Sequence, residues 1–429
     1  MTAVTVLRNA RLVLPDGIRR GDLHIRDARI VPEPASPSVA GASDIPAPAK
    51  PAPPSAKDAP PPAELAPPPG EPDRPSTEPA PPSGETAEDA ATSEEIDLAG
   101  RYVVPGFVDM HVHGGAGASY QGGIEEEARR AAAFHLAAGT TTTIASLVTG
   151  DRRELADAVA ALADLAADGV LAGVHLEGPY LASERCGAHD PALLRPPDLD
   201  EFRKLAALGR GHLRMITLAP ELPGALDLVR AAVDAGVIAA VGHTEAPGAV
   251  ARAAFDAGAR VATHLFNAMR PLHHREGGPI AAALTDPRVT VELINDGVHV
   301  EPAVARLAFD AAGPGRVALI TDAMAAAGMG DGDYRLGVMD VQVRAGRATL
   351  AGGTSIAGST ITMADGFRRA VTEVGLPIER AAEAAALVPA RALGIDARVG
   401  SLEPGKDADL LVLDDDLSVA RVMKGGRWL

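Results

Sequence analysis

From residue 105 to about residue 397, short apolar runs alternate with Ala-rich stretches whose apolar positions recur at helical spacing. The runs are 106–112, 140–148, 170–176, 213–219, 237–241, 260–263, 289–294 and 316–320. A run that is apolar throughout is buried on both faces, and such runs separated by helices predict a parallel sheet. Eight of these units over 105–397 match the count and size of a (β/α)8 TIM barrel, with an open doubly wound sheet as the alternative. The chain ends read differently. Residues 4–14 and 22–31 alternate apolar and polar positions around a Pro15-Asp16-Gly17 turn, and strand character returns at 96–104, 409–413 and 421–429. These segments predict a small β-sandwich domain formed by both chain termini, from residues 1–31, 96–104 and 398–429.

Composition modifies this picture in one place. Residues 32–95 hold about half of the chain's 36 prolines and roughly half of its net charge of −17. Stretches such as Pro60-Pro61-Pro62 and Pro67-Pro68-Pro69 cannot bury enough apolar surface to offset ordering entropy, so a disordered acidic insertion is expected there. The remainder, within a chain 46% hydrophobic and 23% charged, fits a globular protein. Cys186 is the single cysteine, which excludes an internal disulfide framework and fits a reducing compartment. No apolar run reaches the ~18 residues of a membrane span, and the first residues lack a basic-then-apolar leader pattern. The expectation is a cytoplasmic protein without a membrane partner. The acidic balance argues against nucleic acid, whose phosphates need a basic surface.

Candidate chemistry lies where the apolar runs end. His111 and His113 close the first run, Glu177 the third, His243 the fifth, His264 the sixth and Asp322 the eighth. In a parallel barrel these ends converge on one mouth. His111 and His113 are two residues apart, so strand alternation puts both rings on one side. Each residue alone has a structural explanation: a buried His is usually a satisfied hydrogen-bonding group, and a strand-end Asp often caps a helix. Six ionisable groups at equivalent ends are costly together unless a cation compensates them. Four imidazoles and two carboxylates suit Zn²⁺ or Fe²⁺ better than Mg²⁺ or Ca²⁺. Two ions fit only if a carboxylate bridges them. Lys204 is the one lysine between Pro105 and Ala385 and sits in a helical stretch, so the bridge falls to an acidic group, with Glu177 best placed.

The motifs Pro105-Gly106-Phe107-Val108-Asp109-Met110-His111-Val112-His113, His175-Leu176-Glu177-Gly178-Pro179, Gly242-His243-Thr244, Thr263-His264-Leu265-Phe266-Asn267-Ala268-Met269, Asp296-Gly297-Val298-His299 and Thr321-Asp322-Ala323 occur in that order. On them the chain resembles the amidohydrolase superfamily and, within it, the N-acetylglucosamine-6-phosphate deacetylases, over nearly its whole length outside the Pro-rich insertion. The resemblance implies a metal-dependent hydrolase of a sugar-phosphate acetamide in amino sugar metabolism. It implies that Glu177, His243 and His264 hold one metal, and that His111 and His113 hold a second with Glu177 bridging and Asp322 nearby. It implies Asp322 as catalytic acid and base. Asn267, the backbone of Ala268, Arg275 and His299 would bind the sugar phosphate, with Arg275 reaching the neighbouring subunit of a homodimer, and His189 would contact the sugar from a lid. The family's Arg-x-Pro-Gly reads Arg275-Glu276-Gly277-Gly278 here. The C4 epimer, N-acetylgalactosamine 6-phosphate, is an alternative substrate, because one hydroxyl contact separates the two.

Overall fold

All eight apolar runs contain strands in the computed structural model, which describes residues 4–33 and 93–429. Ala145–Val148, Val174–Glu177, Leu213–Leu218, Ile238–Val241, Val261–Ala262, Thr290–Ile294 and Val317–Ile320 pair in that order as one seven-stranded parallel sheet. Phe107–Asp109 pairs in parallel with Thr140–Thr143, the first half of the second run. The last and first strands meet at their C-terminal ends. The Asp322 amide donates to the His111 carbonyl at 2.9 Å, and the His113 and Gly114 amides donate to the Ala323 carbonyl at 2.8 and 3.0 Å. The architecture is of the TIM-barrel type.

Each strand is followed by a helix, and the sequence shows why. In Arg152–Ala167 the Asp151 carboxylate accepts from the amides of Arg153 and Glu154, satisfying donors that the first turn leaves free. Leu155, Val159, Leu162 and Ala166 then recur at helical spacing and are buried against the sheet. Each such Leu or Val side chain contributes roughly 1.5–3 kcal/mol on burial. Inside the barrel, Met110, Ile144, Met215, Ile294 and Ile320 pack together with other apolar side chains, so the strands enclose a filled core. Gly242 marks a close approach: a Cβ there would lie 2.7 Å from Thr263 Cβ and 2.8 Å from Thr217 Cγ2.

Both termini contribute to an eight-stranded sheet. Its central strand Val4–Leu14 pairs antiparallel with Gly17–Arg26 and parallel with Ser93–Asp97 and Tyr102–Pro105. Leu410–Leu413 and Val419–Lys424 extend it from the other end of the chain. The opposite edge, Arg29–Val31, is tied back to the segment entering Leu410–Leu413: Ile30 donates to the Lys406 carbonyl at 2.9 Å and Gly405 to the Ile30 carbonyl at 2.8 Å. The walls of the expected sandwich are therefore joined as one rolled sheet around Leu7, Leu12, Ile25, Val103, Leu410 and Met423.

Two expectations need adjustment. Residues 93–95, expected as the end of the Pro-rich acidic insertion, begin the strand Ser93–Asp97. Their acidity belongs to a paired strand, where Arg8 donates to Glu95 at 2.7 and 2.5 Å. The expectation of disorder for the rest of 32–95 falls almost wholly outside the described residues. Second, the sequence pattern predicts no element between Ala323 and Ala357, yet Gly332–Leu336, Met339–Arg344 and Arg347–Leu350 form a three-stranded antiparallel sheet. It is inserted between the last barrel strand and the helix Met363–Thr372.

Candidate metal centre and active site

Four imidazole Nε2 atoms surround the Glu177 carboxylate. His264 and His243 lie 2.9 and 3.0 Å from Oε1, His113 lies 3.2 Å from Oε2, and His111 lies 3.6 Å from Oε1. Asp322 Oδ1 is 3.2 Å from His113 Nε2 and 3.7 Å from His111 Nε2. All six side chains are buried. Their backbones contribute to the convergence. His243, His264 and Asp322 take left-handed φ values of 48°, 26° and 48° immediately after their strands. That conformation costs of order 1–3 kcal/mol per residue and persists only where the surroundings impose it.

In three of the rings the partner of Nδ1 identifies the protonation pattern. His113 Nδ1 is 3.1 Å from the Ser146 carbonyl and His243 Nδ1 is 2.8 Å from the Arg185 carbonyl. A carbonyl only accepts, so both Nδ1 atoms donate and a neutral ring presents a lone pair at Nε2. His111 Nδ1 faces the fully buried Glu292 carboxylate at 3.0 Å and donates likewise. His111 and His113 then direct lone pairs at one another across 3.2 Å, and the His243 lone pair faces His264 Nε2 across 3.0 Å. Such an arrangement needs positive charge between the rings. His111, His113 and Glu177 form one potential ligand group, and Glu177, His243 and His264 form another, each with ligand atoms within 4.8 Å of one another. Glu177 is common to both.

Protons can supply that charge when a cation does not. Burial opposes charge on His113, but hydrogen bonds to Asp322 and Glu177 carry it up to about 9. Burial would raise the Glu177 carboxyl, yet the charge of His111 and hydrogen bonds from His111 and His113 hold it well below the usual carboxylate range. His243 is pushed down to about 4, chiefly by burial. A divalent cation competes with protons for these lone pairs, and the buried donor set fits it.

His189 has the opposite tautomer. The Thr149 amide donates to its Nδ1 at 3.2 Å, so the proton sits on Nε2, which points to Glu177 Oε2 at 3.4 Å. His175, beside the ligands in sequence, is buried between Ser146 Oγ at 3.0 Å and Thr217 Oγ1 at 2.9 Å and faces none of the carboxylates.

A cavity of about 340 Å³ opens over these groups, lined by His113, Glu177, His189, His243, His264 and Asp322 together with Asn267, Ala268 and His299. His299 Nδ1 is 2.7 Å from the Asp296 carboxylate, which also accepts the amides of Val298 and His299 at 2.8 Å each. Burial would raise Asp296, but the hydrogen bond and charge of His299 and the amides of His299 and Val298 together outweigh it and keep the carboxyl below its ordinary value. Of the residues expected from sequence, two do not line this cavity: His111, which lies against His113 and Glu177, and Arg275, which lines a separate cleft with Arg252, Arg270 and Glu276. Two contributors were not anticipated. Glu292 lies within an apolar run, so no strand-end signal marks it; Arg347 comes from the inserted sheet, which has no clear periodic pattern in the sequence.

Residues 102–429 match the model of the amidohydrolase family. An N-acetylgalactosamine-6-phosphate deacetylase of Escherichia coli O157:H7 is 38% identical over 327 residues, 75% of this chain and 86% of that protein. An N-acetylglucosamine-6-phosphate deacetylase of Bacillus subtilis (strain 168) is 37% identical over 335 residues, 76% of this chain and 84% of that protein. Among solved structures, a mutant N-acetyl-D-glucosamine-6-phosphate deacetylase of Mycobacterium smegmatis in complex with N-acetyl-D-glucosamine-6-phosphate is 42% identical, with a TM-score of 0.82 covering 100% of this chain and 99% of that one.

Proposed function

This chain belongs to the amidohydrolase family, a metal-dependent group, and from that premise we propose that it hydrolyses the acetamide of N-acetyl-D-glucosamine 6-phosphate. The products are acetate and D-glucosamine 6-phosphate, in amino sugar catabolism and cell-wall sugar recycling. One observation carries the proposal. Four imidazoles converge on Glu177 beside Asp322, three of them held by their Nδ1 partners with Nε2 free to ligate, in a cavity of about 340 Å³.

Glu177, His243 and His264 would hold one ion and His111 and His113 a second, with Glu177 shared and Asp322 adjacent; Zn²⁺ or Fe²⁺ suits these donors. When bound, a divalent cation lowers the pKa of water toward ~7 and polarises the acetyl carbonyl. Asp322 takes the proton of the attacking water and hands it to the departing nitrogen, which leaves as a neutral amine. His189 Nε2–H donates to the sugar. Asn267, the Ala268 amide and His299 receive the phosphate, with the Asp296 carboxylate fixing His299 so that Nε2 faces the cavity. Arg275, exposed and directed into another cleft of its own chain, is assigned to the site of a second copy in a homodimer. A phosphorylated sugar does not cross a bilayer unaided, so the reaction is assigned to the cytoplasm. Among the described residues no helix is long and apolar enough to span a membrane.

The second substrate is the C4 epimer, on the strength of the Escherichia coli relative at 38% identity. Incubating metal-reconstituted protein with both N-acetylhexosamine 6-phosphates and following acetate release decides between them. Preference for the gluco epimer is expected; acetate from the galacto epimer alone reverses the assignment, and acetate from neither removes it. Asp322→Asn is expected to retain metal and substrate while kcat falls about 10²- to 10⁴-fold, the usual worth of a positioned acid–base group. Near-normal turnover removes Asp322 from the role.

A further inference from the structure

Arg347 is the one arginine or lysine lining the catalytic cavity among the described residues. It opens the third strand of the inserted sheet, directly after an Ala345-Gly346 turn. Both turn residues have positive φ, 50° and 73°, and both amides donate to the Asp331 carboxylate, at 2.8 and 3.2 Å. This geometry sets the register Arg344↔Arg347 of the hairpin. The next residue, Ala348, is buried in an apolar cluster with Val148, Ala188 and Met324, which anchors the strand beside the cavity. Thr360 Oγ1 donates to the Gly346 carbonyl at 2.7 Å and secures the turn from below. Position 347 is thus held by backbone on a fixed element.

The guanidinium itself is uncommitted. On the same sheet Arg335 faces Asp340 at 3.6 Å and Arg344 faces Asp333 at 3.8 Å. Arg347 has no carboxylate within ion-pair reach among the described residues and shares the cavity with Asn267, Ala268 and His299. Arg275, the arginine expected from sequence, lines another cleft of this chain.

We propose that Arg347 is a specificity-determining residue, a guanidinium that reaches the cavity from within the same chain and binds the phosphate monoester of the substrate. The proposal rests on the deacetylase function above. The planar fork matches two phosphate oxygens, and no existing ion pair must break to form the contact. Selection for phosphorylated over neutral sugars is then partly built into each chain, alongside what a second copy adds through Arg275.

The test compares wild type, Arg347→Gln and Arg347→Lys on N-acetylglucosamine 6-phosphate and on unphosphorylated N-acetylglucosamine. Binding of inorganic phosphate to each metal-reconstituted protein is measured by calorimetry. Arg347 is exposed, so the fold tolerates both changes. For Arg347→Gln the expected result is a KM about 10- to 100-fold higher on the phosphorylated sugar, the loss of one charge-assisted contact. kcat and the rate on the neutral sugar stay unchanged, and phosphate binding weakens in parallel. Arg347→Lys is expected to fall between. An unchanged preference for the phosphorylated sugar with unchanged phosphate binding overturns the proposal and leaves the deacetylase function intact; so does an equal loss on both sugars. If wild type releases acetate from neither sugar, the functional premise fails, and phosphate binding alone still decides whether Arg347 holds phosphate.

Discussion

A histidine ring has two nitrogens, and the partner of one dictates what the other can do. His111, His113 and His243 each spend Nδ1 as a donor, whereas His189 spends it as an acceptor. The first three are thereby suited to hold a cation and the fourth to donate to a sugar. The positions of the first three were legible in sequence because each closes an apolar run, and that of His189 only through the family resemblance; the tautomers were not legible, because the partners come from distant segments. Glu292 is the sharpest case. It contacts His111 from 181 residues away and also accepts the His264 amide at 3.2 Å, linking both ligand groups. Glu292→Gln should therefore weaken metal affinity about 10- to 100-fold, as loss of an outer partner of a ligating histidine does. Competition with a chromogenic chelator measures this directly. Unaltered affinity would mean that the His111 ring is oriented by packing alone.

The loop that carries His189 leaves the third barrel strand and is pinned at its far end. Arg195 donates to Glu201 at 3.0 and 2.7 Å and to the Gly150 carbonyl at 3.0 Å, while Tyr180 donates to Glu201 at 3.1 Å and Arg152 approaches it at 2.9 Å. Glu201 sits in the first turn of Leu199–Leu208 and is buried. One carboxylate thus fastens the start and the end of the loop to a barrel helix. Removing one partner of a buried ion pair strands the other, at about 3–5 kcal/mol. Glu201→Ala should lower Tm, speed proteolysis within 181–194 and raise KM, with kcat less affected. A variant with native Tm and native protease resistance would show that the loop is held elsewhere. Helices and strands at this scale followed from periodicity. The three-stranded sheet at 332–350 did not, because its strands are short and half exposed, with buried positions such as Leu336, Val341 and Ala348 spread among polar ones.

Across the whole molecule, Arg275 poses the largest question, since within one chain it does not line the catalytic cavity. If a second copy supplies it, mixing inactive Arg275→Ala and Asp322→Asn protomers should regain activity, approaching about a quarter of the wild-type sites at random C2 pairing. Failure to complement after verified subunit exchange would return Arg275 to a role within its own chain. The sequence by itself determined the barrel, a small β domain shared by both termini and the six residues at the mouth, whereas the closure of that domain as one rolled sheet was decided in space. Burial on both faces enforces apolar runs, and a parallel sheet brings every run's end to the same side, so both facts are written in local pattern. Tertiary structure alone decided which ring nitrogens face inward, that Glu292 backs His111, that the inserted sheet brings Arg347 over the site, and that Arg275 points elsewhere. Those outcomes depend on the direction of side chains meeting from distant strands, and hydrogen-bond direction is a property of pairs in space that leaves no periodic trace along the chain.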